Sequence, residues 1–289
     1  MTDLDITIAR TKDDLRRKVS AWRNKGLRIG FVPTMGALHS GHLSLVERAL
    51  TECDRVVASI FVNPEQFAAH EDLDDYPRTE AEDIAKLAQI GCHLAYCPSE
   101  KEIYPEGSLT SVRVEQLSDV LDGITRPHFF YGVATVVLRL FVHVRPDVAV
   151  FGQKDYQQLQ IIKRMVRDIG FDIDIIGSET IRDLDGLAQS SRNVYLSSQE
   201  RRRANILYRA LFRAKIRIEI GANVPSALAE ARALLDAGGF DRIDYITATD
   251  PFTLEPITGS VAKRGVEGRL LAAGVIGNTR LIDNIGFKR

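Results

Sequence analysis

The chain has few cysteines, no charge excess of either sign and no long apolar run, and each shortage removes a class of protein. Cys53, Cys92 and Cys97 are odd in number and form no Cys-x-x-Cys pair. They read as small buried residues in a reducing cytosol rather than as a disulfide framework. Lysine plus arginine (38) nearly balances aspartate plus glutamate (39), leaving a net charge of −1. No global field therefore draws the chain to nucleic acid or to a membrane surface. The basic runs Arg16-Arg17-Lys18 and Arg201-Arg202-Arg203 fall in helical patterns and read as solvated faces. No apolar segment reaches spanning length, and Met1-Thr2-Asp3-Leu4-Asp5 lacks a basic-then-apolar layout, so a cytoplasmic location is expected. A Ser–His–acid set, a Cys–His pair at telling spacing and the His-Glu-x-x-His metal pattern are also missing. A metal held by side chains alone is therefore not expected.

What the chain does have is alternation. With 289 residues there is room for one large or two modest domains. Leu27–Val32, Arg55–Val62, Asp147–Phe151 and Asp172–Ile176 read as strands, with Arg55–Val62 apolar enough to be covered on both faces. Helical periods lie between them. One starts at Thr11–Asp14 and stops at Gly26. Another opens at Thr79-Glu80-Ala81-Glu82, a capping-box pattern, and stops near Gly91. Val133–Val144 and Asp155–Ile169 are helical by length and period. Buried strands alternating with helices predict an α/β fold, a doubly wound parallel sheet. The texture changes after Ile181. Asp185-Gly186 reads as a hairpin turn, Ser197–Ile220 and Ser226–Ala237 as helices, and Ile243–Thr249, Arg269–Val275 and Thr279–Ile285 as short strands. A smaller α+β domain is expected there, dividing the chain into 1–180 and 181–289.

Polar clusters follow the predicted strands, where ligands of open α/β sheets sit. After Leu27–Val32 comes Pro33-Thr34-Met35-Gly36-Ala37-Leu38-His39-Ser40-Gly41-His42, then the helical pattern Leu43, Leu45, Val46, Ala49, Leu50. The first turn of that helix is expected to carry His39 and His42 on one face. Its unpaired N–H groups and partial positive charge suit a nucleotide phosphate. Arg55–Val62 leads into Asn63-Pro64-Glu65-Gln66, and Asp147–Phe151 into Gly152-Gln153-Lys154-Asp155-Tyr156-Gln157-Gln158. Lys154 opens a helix, an unfavourable place for a cation unless an anion is present. Ser190-Ser191-Arg192-Asn193 adds hydroxyls and a guanidinium suited to a triphosphate. Taken singly, Gln66 and Gln158 read equally well as ordinary polar residues, and Ser190 as a helix cap. Phosphate donors without an activated nucleophile fit a reaction whose nucleophile belongs to the substrate. A carboxylate, ionised at neutral pH, can attack the α-phosphorus of ATP without a base.

The run Val32–His42 resembles the signature of the pantothenate synthetase (pantoate–β-alanine ligase) family. So do Ile60–Phe67, Tyr76-Pro77-Arg78-Thr79, Phe151–Gln158 and Ser190–Asn193, with further likeness at Asp244-Tyr245, Thr253–Pro256 and Thr279–Asn284. The resemblance implies a Rossmann-like fold of the nucleotidyltransferase type. It also implies a two-step ligation, in which pantoate and Mg-ATP give pantoyl adenylate and pyrophosphate, and β-alanine then displaces AMP. Carried over by motif, Met35, Gly36, Ala37, Leu38, His39, Ser40, Gly41 and His42 would line the ATP site, with His42 the usual proton donor. Gly152, Gln153, Lys154 and Asp155 would cradle the nucleotide, with Lys154 bridging ATP and pantoate. Ile181 would contact adenine, and Gln189, Ser190, Ser191 and Arg192 would complete the set. Gln66 would hold pantoate near β-alanine, and Gln158 pantoate. The resemblance further implies Mg²⁺ on the ATP phosphates, a lid role for the second domain and a homodimer. The family's His-Phe-Arg-Gly is Phe129-Phe130-Tyr131-Gly132 here, beside His128, and its Met or Leu at position 189 is Gln189. A related adenylyl- or cytidylyltransferase, or a nucleotide-binding protein without turnover, are the rival readings.

Overall fold

The computed structural model describes residues 6–67, 73, 76–258 and 265–289; the N-terminal reading on Met1–Asp5 lies outside them. In chain order the elements of the first half are β1 (Thr7–Ala9), α1 (Lys12–Arg23), β2 (Ile29–Thr34), α2 (Ser40–Glu52), β3 (Arg55–Ile60) and α3 (Glu80–Gln89). Next come β4 (Leu94–Tyr96), the short α4 (Glu100–Ile103) and α5 (Asp122–Thr125), α6 (Phe129–Val144), β5 (Val148–Gly152), α7 (Tyr156–Ile169) and β6 (Asp174–Ser178). The remainder is α8 (Ser198–Ala204), α9 (Ile206–Glu219), α10 (Val224–Ala237), β7 (Arg242–Thr249), β8 (Glu267–Ile276) and β9 (Thr279–Lys288). The chain divides into two compact units: 1–153 with 158–179, and 154–157 with 180–289.

The first unit is the expected parallel α/β sheet, six strands in the order β1-β4-β3-β2-β5-β6. The chain winds from β2 through β3 to β4 and then returns to the other side of β2 as β5 and β6. The β2/β5 boundary is thus the switch point at which such sheets bind ligands. Beneath it lies a continuous apolar layer: Val32, Val56, Ala58, Ala95, Val148 and Val150 from the strands against Leu45, Val46 and Ala49 of α2. Gly30 lets α2 approach closely, since a Cβ there would stand 3.2 Å from Cys53 and 3.4 Å from Ala49. Each fully buried Val or Leu side chain contributes roughly 1.5–3 kcal/mol relative to exposure.

Local chemistry explains the boundaries and corrects several readings. Thr11 caps α1 by accepting the Asp14 N–H at 3.1 Å, and Leu15, Val19 and Trp22 form its buried stripe. Strand β2 runs past the proline to Thr34. The Thr34 hydroxyl donates to the Ser59 carbonyl at 2.6 Å, so side-chain bonding supports the pairing where Pro33 has no N–H. The capping box at Thr79 does not form. Its hydroxyl instead donates to Asp83 at 3.1 Å. Cys92 and Cys97 are buried, but Cys53 is only partly so, and all three are free thiols. Among the described residues no helix is long and apolar enough to cross a membrane.

The second unit holds the antiparallel sheet β7-β8-β9, with β8 and β9 paired along their whole length. Both strands are longer than their sequence patterns suggested. Helices α9 and α10 bring Ala210, Ala214, Ala227 and Ala231 into its core, small side chains that allow close approach. The single helix expected over Ser197–Ile220 is two, separated at Asn205. Helix α10 starts at Val224, because the Asn223 side chain accepts the Ser226 N–H at 3.2 Å and Pro225 sits in the first turn.

A buried pair in the first unit makes stability depend on pH. Tyr96 hydroxyl and His143 Nδ1 lie 2.9 Å apart, and both residues are buried. Burial, reinforced by the Lys12 charge, holds the His143 imidazole down at about 4 from its ordinary 6.5. The folded state therefore binds fewer protons than the unfolded one between these values. Its contribution is complete above about pH 6.5 and is lost as pH falls through 4, on the order of 3 kcal/mol in all. Urea unfolding at about pH 7.5 and pH 5 checks this. His143→Gln is expected to remove roughly 2 kcal/mol of the pH-dependent loss, and an unchanged slope would contradict it.

Candidate active site

The segment after β2 turns twice through positive φ, at Gly36 (83°) and Ala37 (49°). At Gly36 a Cβ would also stand 3.1 Å from Asp83 and 3.2 Å from Ile60. The turn is held from α3. Asp83, 0 % exposed, accepts the Ala37 N–H at 2.9 Å and the Leu38 N–H at 2.8 Å, while the Lys86 ammonium donates to the Leu38 carbonyl at 2.8 Å. The backbone donors of Ala37 and Leu38 thus serve the loop's own shape rather than a ligand. Asp83 had no role in the sequence reading. Its signal was a carboxylate on the apolar face of a helix, four residues before Leu87.

His39 is the N-cap of α2, one residue before its first turn, and His42 is its third helical residue. His39 Nδ1 accepts the Gly41 N–H at 3.1 Å, and His42 Nδ1 faces the His39 N–H at 3.5 Å. These helix-start donors are therefore turned to the two rings instead of standing open as expected. The rings lie 4.1 Å apart, tilted by 37°. A neutral imidazole that accepts at Nδ1 carries its proton on Nε2. The capping geometry thus selects the tautomer in which each ring offers an N–H at its far end.

Gln66 ends a 3₁₀ turn, Pro64–Gln66, after β3. Its amide nitrogen stands 2.6 Å from Met35 Sδ, and its Oε1 accepts from Asn63 at 3.2 Å. Asn63 in turn bonds the Gly132 carbonyl at 3.2 Å and accepts the Tyr104 hydroxyl at 2.7 Å. Gly132 is required where it is, because a Cβ would collide with the Glu65 carbonyl. Gln158 sits half-buried in the first turn of α7 and takes part in neither the Met35–Gln66 nor the His39–His42 pairing. Gln153 directs its amide to the Gly177 carbonyl at 3.2 Å, next to Gly152 at the end of β5.

The other candidates belong to the second unit. Lys154, mostly shielded, lies in the 3₁₀ turn before α7 with its ammonium 3.8 Å from Asp155. Ser190 accepts the Arg192 N–H at 3.3 Å and caps a 3₁₀ turn that carries Ser191 and Arg192. Ile181 is 37 % exposed, and its carbonyl accepts the Gln189 N–H at 3.0 Å. The Gln189 side chain reaches Asp183 at 3.1 Å, so the family's apolar residue is replaced by one that ties the turn together.

A family model described as pantoate-beta-alanine ligase matches residues 7–286. Pantothenate synthetase of Hyphomonas neptunium is 59 % identical over 285 residues, covering 98 % of this chain and 97 % of that protein. The Rhodospirillum rubrum pantothenate synthetase is 52 % identical over 97 % of this chain and 99 % of its own. The crystal structure of the Thermus thermophilus pantothenate synthetase superposes with a TM-score of 0.89 at 46 % identity, over 97 % of this chain and 99 % of that one. The chain belongs to the pantoate–β-alanine ligase family. Its members join pantoate and β-alanine through an amide bond, and pantothenate formation is this chain's activity. A Francisella tularensis pantoate-beta-alanine ligase solved in complex with beta-gamma ATP and beta-alanine also superposes, with a TM-score of 0.79 at 34 % identity and 97 % coverage of each chain.

Against this ligase background the changed loop has a structural account. Phe129 supports the Arg126 guanidinium, 3.8 Å above its ring, and Arg126 donates to the Gln66 carbonyl at 3.4 Å. Tyr131 carries Arg113 at 5.2 Å in the same way. His128 is exposed at the N-cap of α6. Phe129 therefore supports an arginine at the Gln66 turn by stacking, whereas the arginine on Tyr131 pairs with Asp119 at 3.0 Å.

Removing the Asp83 carboxylate tests how the loop is held. Asp83→Ala leaves two loop N–H groups without an acceptor, at ~1–3 kcal/mol each. A stability loss of about 2–4 kcal/mol in urea unfolding, with ligase activity at least tenfold lower, is expected. Wild-type values for both would contradict the assignment.

Proposed function

We propose that this ligase works through an acyl adenylate. The pantoate carboxylate attacks the α-phosphorus of ATP, an O–P bond forms, and pyrophosphate leaves. The deprotonated β-alanine amine then attacks the acyl carbon, the bond to AMP breaks, and pantothenate and AMP are released. The observation that carries this reading is the His39–His42 pair at the switch point, tautomer-locked with N–H groups at the far ends of its rings. Such preset donors stabilise charge that develops on transferring phosphates without reorganising. His42 acts as the proton donor of the first step.

The roles follow by residue. Met35 to His42, Gly152 to Asp155 and Gln189 line ATP, Ile181 contacts adenine, and Ser190 to Arg192 serve the phosphates. Lys154 bridges ATP and pantoate. Gln66 and Gln158 hold pantoate, with Gln66 also near β-alanine. Residues 1–180 bear the histidines and glutamines, and 181–289 supply the Ser190–Arg192 turn. Among the described residues no group of three or more His, Cys, Asp or Glu could hold a metal ion. Magnesium, which keeps its waters and prefers phosphates with one or two carboxylates, fits as an ion carried by ATP. When bound it neutralises phosphate charge. Family resemblance also supports a cytoplasmic homodimer.

Release of pyrophosphate and AMP from ATP, with pantoate and with or without β-alanine, tests the reading. Pyrophosphate should depend on pantoate, and sustained AMP turnover on β-alanine. Lys154→Ala and His42→Ala should each lower pyrophosphate release by ~10²–10³ with the fold intact. Pantoate-independent release would point to another nucleotidyltransferase, and near-normal variants would overturn the residue roles.

A further inference from the structure

Strand β9 carries Asp283 and Asn284 side by side, each 3 % exposed, and each holds a different stretch of the second unit. Asn284 donates from Nδ2 to the Lys154 carbonyl at 2.8 Å. Its Oδ1 accepts from Arg269 Nε at 2.8 Å and also from Nη2. Arg269 in turn lies 4.2 Å over the Tyr156 ring, whose hydroxyl donates to the Pro251 carbonyl at 2.9 Å. The turn that bears Lys154 is thus held at its carbonyl and, two residues on, at its aromatic ring.

Asp283 holds the other stretch. Its carboxylate takes Arg182 in a two-point pair at 2.6 and 2.8 Å, with the carboxylate 2 % exposed. The same guanidinium donates to the Gly186 carbonyl at 3.0 Å and stacks 4.0 Å over Tyr208. Arg182 bridges to Ala188 across the Asp183–Leu187 hairpin, and Gln189 and Ser190 follow directly. Side chains of adjacent strand residues leave on opposite faces. One dipeptide on a strand paired along its full length can therefore fix two separate turns in a single register.

We propose that Asp283 and Asn284 are positioning residues for the adenylation step: Asn284 sets the Lys154 turn and Asp283 the turn carrying Ser190, Ser191 and Arg192. This rests on the reading that Lys154 and Arg192 act on ATP. The amide at 284 is chemically specific, because one group must accept from Arg269 while donating to a carbonyl. A carboxylate there keeps the first bond and turns the second into repulsion.

Asn284→Asp is the discriminating variant, measured by thermal unfolding and by the kinetics of pyrophosphate release. With an Arg269 ion pair gained, its thermal midpoint should stay near wild type. Its kcat should fall at least tenfold, with the KM for pantoate unchanged. In a Lys154→Ala background the same substitution should have little further effect, because it acts through Lys154. Wild-type kcat in folded Asn284→Asp, or a full additional loss on top of Lys154→Ala, would overturn the proposal while leaving the adenylation reading intact. Near-normal turnover in Lys154→Ala would overturn that reading, and the proposal with it. Should Asn284→Asp fail to fold, the nearly isosteric Asp283→Asn replaces it. A several-fold rise in the KM for ATP is expected, and unchanged kinetics would contradict the role.

Discussion

Strand β2 pairs in parallel with β3 on one side and β5 on the other, and the chain winds away from it in both directions. That reversal is the constraint on which the remainder of the site depends. It gathers the ends of three strands into one crevice region, so His39 and His42, Asn63 and Gln66, and Gly152 and Gln153 all follow strand ends on the same edge of the sheet. A tight apolar layer under β2, with glycine where α2 comes closest, keeps that edge from shifting.

On this scaffold the protein supplies fixed donors rather than a nucleophile. The loop after β2 spends its own N–H groups on Asp83, and the helix start turns donors toward the two histidine rings. Those internal bonds choose the tautomer of both rings, which places each ring proton on Nε2. Preorganisation of this kind suits an adenylyl transfer, whose reactants bring both nucleophile and leaving group and whose barrier is lowered by placement and charge. The second unit follows the same rule, with a buried Asp–Arg pair and an Asn–Arg pair holding its turns.

Much of this was legible in the sequence, and the gaps have physical causes. Buried strands such as β3 and the periodic helices α1 and α7 show plainly, because burial on a fixed face imposes a period. The alternation of strands and helices led to the doubly wound sheet, and the Val32–His42 run led to the family. Three-residue strands β1 and β4 are too short to carry a period, and each is defined by its partner. Pro33 looked like a strand end because a lost N–H is local, whereas the side-chain bonds beside it come from Ser59, 25 residues on. Asp83 went unread and Asn284, seen only as part of the Thr279–Asn284 likeness, was given no role for the same reason: their partners are 45 and 130 residues away in the chain. That Phe129 and Tyr131, which stand where the family has His and Arg, carry Arg126 and Arg113 on their rings was not legible, because stacking leaves no fixed spacing in the chain.

The central claim is that the substrate's own carboxylate attacks the α-phosphorus. It is tested most directly by following oxygen from pantoate labelled with ¹⁸O in its carboxylate through one turnover with ATP and β-alanine. Attack at the α-phosphorus sends one labelled oxygen into AMP and none into pyrophosphate, which mass spectrometry of the two products reads without ambiguity. Unlabelled AMP, with the label in inorganic phosphate or pyrophosphate, would contradict the adenylate route and the roles assigned to His39, His42 and Lys154 within it.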